Sequence, residues 1–96
     1  MNMINEIKIC GVVYSILYKT QEEMSGRLGL ANFNTQEIWI NIEATEQTKR
    51  IALVHEILHM MDHAYNLKLS EEQVVFTSHA FLALLSENSD KIRYEI

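Results

Sequence analysis

Between residues 37 and 65 the hydrophobic period of this chain changes from two to that of a helix, and that switch constrains the fold more than any other feature. Residues 37–43, "EIWINIE", set Ile38, Ile40 and Ile42 on one side and Glu37, Trp39, Asn41 and Glu43 on the other. A period of two belongs to a half-buried strand, so the isoleucines face a core. Thr45 can then cap a helix that runs to about Asn66, along which Ile51, Val54, Leu58, Met61 and Tyr65 recur at helical spacing. Further apolar residues flank that stripe, so the helix needs cover on more than one side. A second helix is predicted from its N-cap Ser70, with Gln73 at the capping-box position, to about Glu87.

The N-terminal part reads as sheet. Residues 4–18 are rich in β-branched and aromatic side chains around Gly11, which predicts two short strands joined near Cys10-Gly11 or one bent strand. Cys10, the sole cysteine, reads as a buried, inert residue beside that turn. Thr20 to Ser25 is polar and fits a turn or short helix; residues 26–32 look extended, and Asn32 and Asn34 mark a further turn. These connections look too short for crossovers, so the sheet is expected to be antiparallel. The predicted fold is α+β: three to four antiparallel strands packed against two helices, in a single domain over residues 1–96. The tail "NSDKIRYEI" fits either a frayed end or a short edge strand.

Hydrophobic residues make up 48% of the 96 and charged ones 22%, a globular balance. The formal net charge of −5 repels phosphate backbones, and Lys49-Arg50 is the only adjacent basic pair, so direct nucleic-acid binding is not expected. No basic-then-apolar leader opens the sequence. The longest apolar run falls well short of the about 18 residues of a membrane span. A cytoplasmic protein is the expectation.

Within the first helix, "LVHEILHMMDH" puts His55 and His59 four apart, about one turn along one face, where two imidazoles can converge on one ion. Glu56 follows the first histidine. This is the His-Glu-x-x-His arrangement of zinc metallopeptidases, in which the glutamate acts as general base toward water activated by the metal. Burying these three side chains without partners costs on the order of 2 kcal/mol for each unsatisfied group. Binding Zn2+ removes that cost.

A catalytic zinc needs a third protein ligand. Distance argues against His63, since eight residues of helix are about 12 Å long and a Zn–N bond is about 2.1 Å, and it fits a supporting or helix-end residue better. The second helix holds the remaining donors. Glu72 lies on a stripe with Val75, Phe76 and His79 and is the favoured ligand, with Glu71 and His79 as alternatives. His79 also fits an oxyanion stabiliser or a satisfied core histidine. Asp62 fits a residue orienting a ligand ring or an exposed surface group. Tyr14, Tyr18 and Tyr65 are candidate phenols, each fitting core or rim packing as well.

"TKRIALVHEILHMMDH" followed by "LKLSEEQVVFTSHAFLALLSEN" resembles the small metallopeptidase-like proteins of phages and mobile elements within the ImmA/IrrE group. The upstream "GRLGLANFNTQEIWINIE" is similar to their strand-turn-strand, so the resemblance spans about residues 26–88. It implies a minimal zincin-like fold and a gluzincin-like site: His55 and His59 as ligands, Glu56 as general base, and a glutamate of the next helix as third ligand. It also implies a phage or mobile-element origin and a regulatory protein, such as a repressor, as target. One departure stands out. The larger members place the ligand glutamate three residues before an Ala-Asn pair, a register that here gives Val75, which cannot bind zinc.

A peptidase must hold its peptide extended, and a free sheet edge can do so by adding it as a strand. Residues 37–43, directly before the metal helix, are expected to be that edge, with Trp39, Ile40 and Asn41 against the substrate. Glu37 and Glu43 would then favour basic or neutral segments. A rival expectation is a catalytically silent zinc-site protein that binds a partner without cutting it; a third is a helix with no metal.

Overall fold

The computed structural model describes residues 4–89. Its elements follow in the order β1 (Glu6–Ile9), β2 (Val12–Lys19), β3 (Gly29–Asn32), β4 (Glu37–Asn41), α1 (Glu46–Tyr65) and α2 (Glu71–Glu87). The architecture is α+β, a four-stranded sheet with two helices. Most of the tail lies outside the described residues, so neither expectation for it is addressed. Among the described residues no helix is long and apolar enough to cross a membrane.

The two-strand reading of the N-terminus holds. Cys10 and Gly11 have φ of 51° and 80°, the paired left-handed angles of a two-residue hairpin turn whose twist matches its strands. Cys10 is exposed there rather than buried, because the hairpin tip projects past the sheet.

The strand order is β1-β2-β4-β3. β1/β2 and β3/β4 are antiparallel, whereas β2 and β4 run parallel, with Ile16 opposite Ile38 and Tyr18 opposite Ile40. The sheet is thus mixed where short connections predicted an antiparallel one. No crossover helix is needed, because β3 itself returns the chain. It runs back one strand width further out, and the β3–β4 hairpin folds inward to fill the slot beside β2. Two strand spacings are about 10 Å, which residues 20–28 span easily. Asn32 shapes the hairpin by accepting from the backbone N–H of Asn34 and Thr35 at 3.1 and 3.2 Å.

One sheet face supplies Tyr14, Ile16, Ile38 and Ile40 to the core, and α1 lays Ala52 and Met60 on it. α2 packs on α1 and not on the sheet. The helix cover on two sides that the apolar girth of α1 required therefore comes from sheet and α2 together. Thr45 caps α1 by accepting from Thr48 N–H at 3.2 Å. Ser70 and Gln73 form the predicted capping box of α2.

The alternation of β4 ends early. Ile42, expected beside Ile38 and Ile40 in the core, is exposed, while Asn41, expected to face outward, is 1% exposed. The Asn41 amide donates to Gln21 Oε1 and to the Arg27 carbonyl, and its Oδ1 accepts from Glu43 N–H at 2.9 Å. These bonds turn the chain out of the strand before Ile42 and fasten residues 21–28 to the sheet. Asn41→Ala leaves those partners unpaired, and the expected cost is about 1–3 kcal/mol. A lower urea midpoint with an unchanged slope checks it.

Candidate metal centre

His55 and His59 project from successive turns of α1, with their Nε2 atoms 3.1 Å apart. Glu71, the first residue of α2, spans both: Oε1 lies 2.9 Å from His55 Nε2 and Oε2 lies 3.2 Å from His59 Nε2. The three residues offer ligand atoms within 4.8 Å of one another. Donors around a tetrahedral zinc with bonds of about 2.1 Å stand about 3.4 Å apart. A slight spreading of the trio therefore admits the ion. Two imidazoles and a carboxylate are also a donor set that zinc accepts.

Glu71, one of the alternatives, meets the histidines; Glu72, the favoured ligand, is exposed on the surface. The reason is the rotation of α2. Its fully buried residues are Val74 and Ser78, so the stripe facing α1 runs through 71, 74 and 78 and not through 72, 75, 76 and 79. Phe76 on the predicted stripe is 65% exposed. Glu72 stands about 100° around the helix from Glu71, away from α1.

The connection that delivers Glu71 is residues 66–70, with Asn66 and Lys68 both left-handed at φ of 54° and 59°. Asp62 pins it. The Asp62 carbonyl accepts from the N–H groups of Asn66 and Leu67, and its carboxylate accepts from Leu69 N–H at 3.2 Å. Asp62 thus holds the loop before Glu71 instead of orienting a ring. Asp62→Ala is expected to weaken zinc binding about 10-fold, as loss of a supporting bond does elsewhere. Asp62→Asn, which keeps the acceptor, should bind like the parent in chelator competition.

Glu56 points toward the sheet and is 8% exposed. It lies over Gly29 of the edge strand β3, where an added Cβ would stand 3.0 Å from both Glu56 Cγ and Oε2. A methyl added here requires the Glu56 side chain to give by a few tenths of an ångström. Gly29→Ala is expected to push the carboxylate aside, and if Glu56 serves a hydrolytic centre the shift cuts turnover about 10-fold, since small misplacements at a reacting centre are costly. Zinc content should stay at the parent level. Burial pushes the Glu56 carboxyl above the usual carboxylate range; positive charge on His55 and His59 draws it back, and Glu71 pushes it up further. A raised carboxyl is a more effective proton acceptor near neutral pH.

A cavity of about 400 Å³ opens beside His55 and Glu56, between Arg27–Gly29, the α1 turn with Ile51 and Ala52, and Val75, Ser78 and His79 of α2. His79 is exposed on this wall and is not a core histidine. His63 stacks on Phe33 with ring centroids 4.2 Å apart and stands outside the cluster, as its distance along the helix required. Tyr14 is in the core, the Tyr18 hydroxyl donates to the Ile4 carbonyl at 2.9 Å, and Tyr65 meets Cys10. None of the three lines the cavity.

The substrate strand needs correction. β4 sits between β2 and β3, so its backbone is paired on both sides. Ile40 and Asn41 are buried, and the Trp39 indole donates to Glu37 at 3.0 Å with Lys19 over its ring. Trp39, Ile40 and Asn41 therefore do not form the edge. Glu43 accepts from Gln21 N–H at 2.7 Å, so the basic-segment preference assigned to Glu37 and Glu43 loses its basis. Among the described residues the open edge beside Glu56 is β3, and the signal for it was Gly29 within the extended stretch 26–32.

No protein-family model, curated protein or solved structure matches this chain. The candidate site therefore rests on its motif and its geometry.

Proposed function

We propose that this protein is a minimal zinc-dependent metallopeptidase cutting a protein target, in the manner of the phage and mobile-element ImmA/IrrE proteins that its sequence resembles. One observation carries the reading: His55, His59 and Glu71 converge on a point, with Glu56 buried beside it. His55 and His59 would hold the ion through Nε2 and Glu71 through its carboxylate. When bound, zinc supplies the Lewis acidity that acidifies water and polarises a peptide carbonyl. Glu56 takes a proton from the attacking water and passes it to the departing amine. The edge of β3, open among the described residues, accepts an extended peptide along Gly29, next to Glu56. His79, on the cavity wall, is the side chain available to donate to the oxygen on which charge develops. A regulator in the cytoplasm is the target class that fits.

The exposed edge is only four residues long. That shortness favours, as the second reading, a zinc-site protein that binds a partner without cutting it. Zinc-loaded protein incubated with a proteome-derived peptide library separates the two by mass spectrometry of new termini. Termini that vanish with chelator and return with zinc are expected. Full zinc occupancy without new termini supports the binding module, and failure to take up zinc removes both.

A further inference from the structure

We propose that the cavity beside Glu56 selects peptides carrying a bulky apolar side chain immediately next to a carboxylate. The inference takes this site as the peptide-handling one proposed above. Four apolar side chains line the cavity, Leu28, Ile51, Ala52 and Val75. Ser78 also lines it, but its hydroxyl is committed to the Val74 carbonyl at 2.7 Å and offers no free donor. An apolar wall of this kind rewards a large hydrocarbon side chain and offers a polar one nothing to bond. The volume of about 400 Å³ falls within the range of small-ligand sites, ample for a leucine or phenylalanine side chain.

The cavity lining carries one guanidinium, Arg27, and one carboxylate, the buried Glu56. Net charge is −5, yet the exposed Arg27 stands at the cavity with the imidazole of His79. Of the acidic groups at hand, Glu71 contacts both histidines, and Glu56 lies over Gly29, buried, with Arg27 adding a small pull on its charge. Among the described residues no carboxylate is within ion-pair distance of Arg27. A guanidinium so placed fits a planar carboxylate through paired N–H donors. That carboxylate comes from a neighbouring Asp or Glu side chain or from a peptide's own C-terminus; both present the same group.

Fluorescence anisotropy with labelled hexapeptides tests this, on metal-free parent protein and on zinc-loaded Glu56→Gln. Three C-terminally amidated peptides carry Leu-Glu, Ala-Glu or Leu-Lys at the centre, and a fourth ends in leucine with a free carboxylate. Leu-Glu should bind about 10-fold more tightly than Ala-Glu, the order a hydrophobic pocket gives for lost methylenes. It should bind about threefold more tightly than Leu-Lys at low salt, with the margin shrinking as salt rises. Arg27→Glu, a surface change compatible with folding, should reverse the Glu/Lys order. Tight binding of the fourth peptide assigns the carboxylate to a chain end; weak binding assigns it to a side chain. Equal affinity across the set, or an order unmoved by Arg27→Glu, overturns the proposal. If the order holds while zinc does not bind or nothing is cut, the metallopeptidase reading fails and the selectivity stands.

Discussion

Glu56→Gln is expected to lower peptide hydrolysis by about 10²- to 10⁴-fold, the usual worth of a positioned general base, while zinc content stays at the parent level. The two halves have separate causes. Glutamine matches glutamate in shape, so it keeps its seat over Gly29, but its amide cannot take up a proton. Glu56 is also absent from the cluster of His55, His59 and Glu71, so its replacement removes no ligand. Stability supplies a third readout. Burial holds the Glu56 carboxyl above its ordinary value in the metal-free fold, so ionising it there costs folding free energy that the unfolded chain does not incur. The penalty is present at neutral pH and fades as pH falls through the folded value to below the unfolded one. Metal-free Glu56→Gln should therefore melt no lower than the parent at neutral pH, and any advantage should disappear in acid. Undiminished cleavage by the variant would remove Glu56 from the chemistry. Loss of zinc would mean that it touches the ion.

The elements that follow from local rules were legible in the sequence. Period-two spacing located β4, helical spacing located α1, and Thr45, Ser70 and Gln73 placed the helix starts by capping chemistry that depends on three or four neighbouring residues. Three features escaped because they depend on where distant segments meet. The parallel pairing of β2 and β4 arises from β3 lying at the edge, which no local pattern of β4 records. Asn41 faces inward because Gln21 and the Arg27 carbonyl are there to bond it, twenty and fourteen residues away. The choice between Glu71 and Glu72 turns on one residue of helix rotation. Val74 and Ser78 set that rotation by facing α1, and the small, satisfied serine gave no hydrophobic signal against Val75 and Phe76. The mutual placement of His55, Glu56 and His59 was legible because a single helix fixes it, whereas the glutamate that meets the two histidines needed the α1–α2 angle.

Adding zinc to the metal-free protein is expected to raise its melting temperature by upwards of about 10 °C, and His55→Ala or His59→Ala should abolish the rise. At a zinc concentration 100 times its dissociation constant, binding to the folded state alone adds about 2.7 kcal/mol. In a domain of this size each kcal/mol is worth about 4–8 °C. Glu71→Gln should reduce the rise strongly, because an amide oxygen is a poorer zinc donor than a carboxylate. Glu72→Gln should leave it intact, because that residue stands one position around α2 from the cluster. The contrast between these adjacent glutamates is the decisive comparison. Were the trio only a pair of imidazole–carboxylate contacts, Glu71 would take part with a side chain 66% exposed. Exposed pairs of that kind contribute about 0–1 kcal/mol, so zinc would then move nothing and the two glutamine variants would melt alike. A zinc-dependent rise that fails in Glu71→Gln and survives in Glu72→Gln can come only from an ion held between the helices.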